Sequence, residues 1–214
     1  MSEQEDFWRG EFGTEYNLRN DGEPLIANNM KFWRRVFNNF CSPLVIEFGA
    51  GTGMNLIALS RLGVPQDRMT AVEINHSACE KLRRIEGVKV LECSMLEGAQ
   101  TGEFGSEVSS FGQHDMVISS GLLIHIGPDE LEAAYDVLHR ACAPGGTIVL
   151  IEYFAPTETP VIYRGNEGKL WRRNYGRDML TRFPDLGLLC YDFVADIDPE
   201  CPRDNVTVWC LKKK

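Results

Sequence analysis

Residues 44–53 read Leu-Val-Ile-Glu-Phe-Gly-Ala-Gly-Thr-Gly: a short apolar run ending in an acid, then glycines at 49, 51 and 53. An amphipathic segment follows from Met54 to Leu62, with Met54, Leu56, Ile57 and Leu59 apolar. The pattern predicts a buried strand, a tight turn and a helix. Glycines in the turn accept positive φ and let a ligand approach the backbone where a Cβ would block it. Such a turn takes an adenine-containing ligand.

Spacing separates the two main ligands of that kind. The dinucleotide fingerprint is G-x-G-x-x-G, with its third glycine set so that a helix N-terminus faces the pyrophosphate. Counting from Gly49, that position holds Met54, and the observed order is G-x-G-x-G with Glu47 two residues earlier. S-adenosylmethionine has no phosphate, so its loop need only admit the amino-acid portion and the sulfonium. Glu47 can lie beneath the loop and face the ligand's ammonium, directly or through water. The spacing favours S-adenosylmethionine over NAD.

Two further strand ends agree. Met69-Thr-Ala-Val-Glu-Ile-Asn75 is again apolar and acid-terminated, and Glu73 lies 24 residues past Gly49. In doubly wound sheets the acid at that distance accepts hydrogen bonds from the ribose hydroxyls. The third run, Val88 to Leu96, brings Ser94 and Met95 to the adenine edge.

At 214 residues the chain is read as one domain, with 43% hydrophobic and 25% charged residues. Its net charge of −9 argues against nucleic acid or an anionic membrane as partner. The acidic start, Met-Ser-Glu-Gln-Glu-Asp, lacks the basic and apolar regions of a signal peptide, and no run is long enough to span a membrane. Seven cysteines without a C-x-x-C pair fit a reducing cytoplasm, and neither they nor the four histidines show ligand spacing for a metal.

Along the chain, residues 26, 30, 33, 37 and 40 mark a helical stripe before the first strand, and a helix is expected at about His76 to Ile85. Residues 98–113 read as a polar connection. His114 to Ser120 is a fourth strand, Pro128-Asp-Glu130 a helix start, Ala143 to Gly146 a turn, and Thr147 to Phe154 a fifth strand. Alternating strands and helices imply a parallel α/β sheet with helices on both faces. Leu188 to Ala195 and Val206 to Lys212 have no helix between them and form a closing antiparallel pair.

These features resemble a class I S-adenosylmethionine-dependent methyltransferase, and more narrowly the methylases associated with pseudaminic acid biosynthesis. The resemblance rests on Phe7-Trp-Arg-Gly-Glu-Phe-Gly-Thr-Glu-Tyr16 with Arg19-Asn20, on Glu47 to Gly53, and on Gly121 to Glu130. It extends through Glu152-Tyr153, Tyr163-Arg164-Gly165 and Asp204 to Trp209. It implies a Rossmann-like fold with a mostly parallel seven-stranded sheet and a C-terminal antiparallel hairpin. The single domain then divides into an N-terminal helical lid (1–40), a cofactor-binding core (41–154), an acceptor-side insertion (155–177) and a C-terminal helix and hairpin (178–214).

Ligands of open α/β sheets bind at the carboxyl ends of the strands beside the topological switch. The expected cofactor set is therefore Tyr16, Arg19, Glu47, Gly49, Gly51, Gly53, Glu73, Ser94, Met95 and Gly121, with Arg19 on the methionine carboxylate. His125 is read either as a general base or as a packing and orienting residue. Glu152 can hold or deprotonate an acceptor amine, or serve as a structural hydrogen-bond acceptor. Tyr153, the third catalytic candidate, is expected to line the acceptor pocket before it is expected to react. The aromatic block at Phe7, Trp8, Phe12 and Tyr16 either closes over the site or docks the N-terminal helix on the sheet edge. Tyr163, Arg164, Lys169, Arg172, Arg173 and Arg177 form a basic cluster that either binds an anionic acceptor or is neutralised by nearby acids; Tyr163 and Arg164 are the substrate-binding candidates.

The expected activity is methyl transfer to a small-molecule acceptor, at nitrogen before oxygen, an anionic or sugar-derived intermediate among the choices. An NAD-dependent oxidoreductase and a non-catalytic cofactor-binding domain are the alternatives. The oligomeric state is not legible.

Overall fold

A computed structural model describes residues 2–36, 43–97 and 112–214. Three helices come first, α1 (Glu3–Arg9), α2 (Glu11–Arg19) and α3 (Glu23–Val36). Strand β1 (Val45–Phe48), helix α4 (Met54–Arg61), β2 (Met69–Glu73), α5 (His76–Leu82) and β3 (Lys89–Glu92) follow. Next come β4 (His114–Ser120), α6 (Leu131–Ala141), β5 (Cys142–Tyr153), β6 (Thr159–Tyr163), β7 (Asn166–Arg172), α7 (Tyr175–Arg182), β8 (Leu186–Val194) and β9 (Val206–Lys213). Seven strands form one sheet in the order β3-β2-β1-β4-β5-β9-β8. β1 to β5 pair in parallel, and β9 runs antiparallel to both β5 and β8. This is the expected sheet with its closing hairpin.

The central strands are apolar on both faces because helices cover both. Alternate side chains of β1, Ile46 and Phe48, pack with Leu131, Leu138 and Met179 from α6 and α7. Val45, on the other face, packs with Phe32, Trp33, Leu56 and Leu59 from α3 and α4. β1 lies between β2 and β4, so the loops leaving β1 and β4 turn away to opposite sides and open a crevice at their carboxyl ends.

Several local expectations change. The helix foreseen from Pro128 begins at Leu131; residues before it form a turn in which Glu130 N donates to Gly127 O at 3.0 Å. Ala143 to Gly146 does not leave the sheet. It is the irregular stretch of β5 between the His114–Cys142 and Met116–Thr147 pairs. The third strand stops at Glu92, so Ser94 and Met95 leave the sheet toward the crevice. The connection read over residues 98–113 lies almost wholly outside the described residues, as do positions 37 and 40 of the first helical stripe.

The segment 155–177 holds a second, two-stranded sheet of β6 and β7, with Tyr163 opposite Asn166. Its two turn residues, Arg164 and Gly165, have φ of 49° and 81°, the left-handed pair that a tight hairpin requires. Helix α7 begins at Tyr175, inside the stretch assigned to the insertion.

Candidate functional site: two joined cavities

The glycine loop opens the site from below. Gly53, with φ 83°, starts α4, and a Cβ there would come within 2.8 Å of Leu82 and Ile85 side-chain carbons. Gly53 therefore serves loop packing against α5 and does not line a cavity. Gly49 and Gly51, at φ 66° and 54°, do line one.

That first cavity holds about 850 Å³ of empty space, its mouth included. Glu73, Ser94, Met95, Gly121 and Tyr16 all border it, as foreseen, together with His125. Helices α1 and α2 roof it through Gln4, Trp8, Tyr16 and Asn17. Glu73 is 7% exposed; its Oε2 accepts from Gly51 N and its Oε1 from Asn75 N, both at 2.8 Å. A carboxylate has about four lone-pair sites, so these bonds do not use up its capacity to accept from a ligand. Burial raises the Glu73 pKa, opposed by these backbone bonds. Ser94 Oγ accepts from Leu96 N at 3.1 Å, which leaves its hydroxyl hydrogen free to donate.

Glu47 sits beneath the loop, 2% exposed, outside the cavity lining. Its Oε1 accepts from Asn55 Nδ2 at 2.7 Å, and its Oε2 is buried with no hydrogen-bond partner among the described residues. Burial pushes its pKa up to about 8.

A second cavity, about 1170 Å³ with its mouth, shares Tyr16, Ser120, Gly121 and His125 with the first. Tyr153, Tyr163 and Arg164 line it, beside Asn20, Asn28, Asn29, Arg203 and Asp204. Tyr153 Oη donates to Asp204 Oδ2 at 3.1 Å, and burial raises the phenol's pKa.

His125 lies at the junction, 6% exposed, with its ring 4.3 Å from Trp8 and 5.1 Å from Tyr163. Its Nδ1 is 2.8 Å from Lys169 O. A carbonyl can only accept, so Nδ1 carries the hydrogen and Nε2 the lone pair. Burial depresses its pKa to about 4. Lys169 O also accepts from Gln4 Nε2 at 3.1 Å, so one carbonyl of β7 joins helix α1 to the histidine turn.

The structure keeps other candidates away from the cavities. Arg19 is exposed and pairs with Glu15 one helical turn back at 3.5 Å; it reaches neither cavity. Glu152, 1% exposed, lies behind the turn after β4. Its Oε1 accepts from Ser119 Oγ at 2.7 Å, Leu123 N at 3.2 Å and Leu122 N at 3.3 Å. Burial raises its pKa to about 7. The basic cluster is largely neutralised: Lys169 pairs with Glu3, Arg173 with Glu158 and Arg177 with Asp178, and Arg172 lies 5.5 Å from the centre of the Tyr153 ring. Of the cluster, only Tyr163 and Arg164 line the second cavity.

Sequence reasoning missed Asn75, whose Oδ1 caps α5 through Ala78 N at 3.1 Å. Its Nδ2 donates to Trp8 O at 3.1 Å, binding the end of α1 to the end of β2. An asparagine just before a helix was the available signal. Arg203 was missed as well, and no local signal marks it.

Compared with known proteins, residues 46–148 match the model of a family described as a methyltransferase domain. No curated protein matches the chain. Among solved structures, it is similar to the 1,6-didemethyltoxoflavin-N1-methyltransferase of Burkholderia thailandensis, determined with 1,6-didemethyltoxoflavin and S-adenosylhomocysteine. Identity is 15%, over 100% of this chain and 92% of that one, with a TM-score of 0.70. The magnesium protoporphyrin IX methyltransferase of Synechocystis PCC 6803, with bound S-adenosylmethionine, is 14% identical over 100% and 99% of the two chains, at a TM-score of 0.65. A glycopeptide N-methyltransferase complexed with sinefungin is 13% identical over 88% and 94%, at 0.60. At these identities the shared property is the fold, and no helix among the described residues is long and apolar enough to cross a membrane. The methyltransferase match spans the glycine loop, Glu73 and the histidine turn, so residues 46–148 are a methyltransferase domain with S-adenosylmethionine as its cofactor, set in a chain that has the Rossmann-like fold of such enzymes throughout.

Proposed function

We propose that the chain methylates nitrogen on a small molecule held in the second cavity, using S-adenosylmethionine held in the first. The observation that carries this reading is the shared wall at Tyr16, Ser120, Gly121 and His125. An acceptor there meets the sulfonium methyl through the junction. Its lone pair forms the new bond to the methyl carbon as the carbon–sulfur bond breaks and that electron pair returns to sulfur. Alignment of the two partners supplies most of the acceleration, about 7–11 kcal/mol when well made.

The proton inventory favours nitrogen. An alcohol must lose its proton to become a good nucleophile, which calls for a strong base. His125 is held neutral with a pKa near 4 and Glu152 is turned into its own backbone bonds. A neutral amine brings its lone pair ready-made. His125 Nε2 accepts a hydrogen bond from the amine and aims that lone pair, and the methylated ammonium gives its proton to water on release. Tyr153, Tyr163 and Arg164 shape the acceptor site, and Glu73, Ser94 and Met95 hold the adenosine. Helices α1 and α2 act as the lid.

Phe7 to Tyr16 and Tyr163 to Gly165, the segments most like the pseudaminic acid-associated methylases, put a sugar-derived, anionic biosynthetic intermediate first among acceptors to try. The cysteines of the described residues are free thiols, which fits work in the cytoplasm.

The test is incubation with ¹³C-methyl-labelled donor and a fractionated pool of small metabolites. N-methyl resonances and stoichiometric S-adenosylhomocysteine release support the reading; products bearing only O-methyl groups overturn the choice of nitrogen.

A further inference from the structure

The connection from β8 to β9 returns to the sheet through Pro202, Arg203 and Asp204, on the wall of the second cavity. Arg203 is held on its apolar side by Phe32, whose ring centre lies 4.1 Å from the guanidinium carbon. Its Nη2 donates to Asn29 Oδ1 at 2.8 Å. Its Nε is buried and has no hydrogen-bond partner among the described residues.

This guanidinium makes no ion pair among the described residues. Arg173, the other half-buried arginine among the described residues, pairs with Glu158, and the more exposed Arg35 and Arg182 also have acid partners. Burial lowers the Arg203 pKa to about 10, so it remains a cation near neutrality. A buried cation with an open donor is costly unless an anion meets it. Asp204, the only acid on this cavity's described wall, accepts from Tyr153 instead. Asn28 Nδ2 donates to Pro202 O at 2.9 Å and fastens the connection to α3, so the guanidinium's place is set before any ligand arrives.

Asp204 and, more weakly, Glu47 attract this charge without forming an ion pair. An open guanidinium donor on the wall of the cavity suits the carboxylate of a small molecule. Arg19, which was expected to take the methionine carboxylate, is engaged with Glu15 on the helix surface.

We propose that Arg203 is the carboxylate anchor of the cleft. The edge of its guanidinium bearing Nε receives a carboxylate of the bound small molecules in a two-bond fork. The carboxylate belongs either to the methionine end of the cofactor or to the acceptor. The inference rests on the first cavity being the cofactor site.

Calorimetry of the wild type, Arg203→Met and Arg203→Lys separates the cases. Each is titrated with S-adenosylhomocysteine and with its decarboxylated analogue. Methionine keeps an apolar stem over Phe32; lysine keeps the charge without the fork, and circular dichroism checks that both fold. For the cofactor source, the wild type prefers the carboxylate-bearing ligand by about tenfold or more, and the preference collapses in Arg203→Met while affinity for the analogue is unchanged. For the acceptor source, that preference survives, but succinate at millimolar concentration binds the S-adenosylhomocysteine complex of the wild type and not that of Arg203→Met, by saturation-transfer NMR. Equal loss of both adenosyl ligands in the folded variants overturns the proposal, as does unchanged behaviour toward all three probes. A wild type that ignores S-adenosylhomocysteine removes the cofactor reading itself, and the proposal with it.

Discussion

Gly51 N donates to Glu73 Oε2 at 2.8 Å, so the acid ending β2 ties down the glycine loop that follows β1. One side chain thus shapes the turn and, in the function proposed above, also accepts from the ribose. Glu73→Ala should weaken S-adenosylhomocysteine binding by about 1–3 kcal/mol. Isothermal titration reads this directly, and an unchanged dissociation constant rules the ribose role out.

Asn75 couples α1 to the sheet through Trp8 O and caps α5 through Ala78 N, which makes it the tether of the proposed lid. Asn75→Ala should cost about 1–2 kcal/mol of stability from the lost cap. It should also speed amide exchange across residues 3–19 more than elsewhere, and hasten S-adenosylhomocysteine release in stopped flow. Uniform acceleration of exchange over the whole chain shows that Asn75 does not hold the lid.

Glu47 is a carboxyl whose folded pKa is raised to about 8 from an ordinary 4.5. Its contribution to stability is therefore complete below about pH 4.5 and declines as pH rises through 8. A ligand ammonium favours the ionised form, so cofactor binding expels a proton and strengthens with pH up to about 8. Titrations in buffers of different ionisation enthalpy should show that proton release in the wild type and none in Glu47→Gln. Equal release in the two proteins disproves the contact.

His125 carries the opposite sign. Its folded pKa of about 4 lies below the ordinary 6.5, so the folded protein takes up its proton later than the unfolded chain. Stability is lost as pH falls from 6.5 to 4, by about 3 kcal/mol from this group alone. Glu47 and Glu152 act in the other direction over part of that range, so the informative quantity is the difference between the wild type and His125→Gln. The thermal midpoint of His125→Gln should fall less steeply with acid; parallel curves count against a buried, neutral histidine.

What was legible follows from the range of the interactions. The glycine spacing, the alternation of β1 with both faces covered, and the acids at the ends of β1 and β2 depend on neighbours a few residues away. Pairing with the rest of the sheet then put Glu73, Ser94, Met95 and Gly121 on the wall of one cavity. The turn at Arg164 escaped notice because a non-glycine residue with φ of 49° is uncommon and its hairpin lacks the usual Asn-Gly signal.

Local chemistry in the chain itself was enough to specify an adenosyl-binding α/β sheet, because strand ends and glycine turns are set by backbone sterics and short-range periodicity. Tertiary packing alone assigned the working roles of the charged residues. Arg19 is taken up by a helix neighbour, Glu152 by the turn it supports, and Arg203 is carried to Asn29 across 174 residues of sequence. Which charges pair and which stay open depends on burial and on partners brought from distant segments, and neither is encoded in residue spacing.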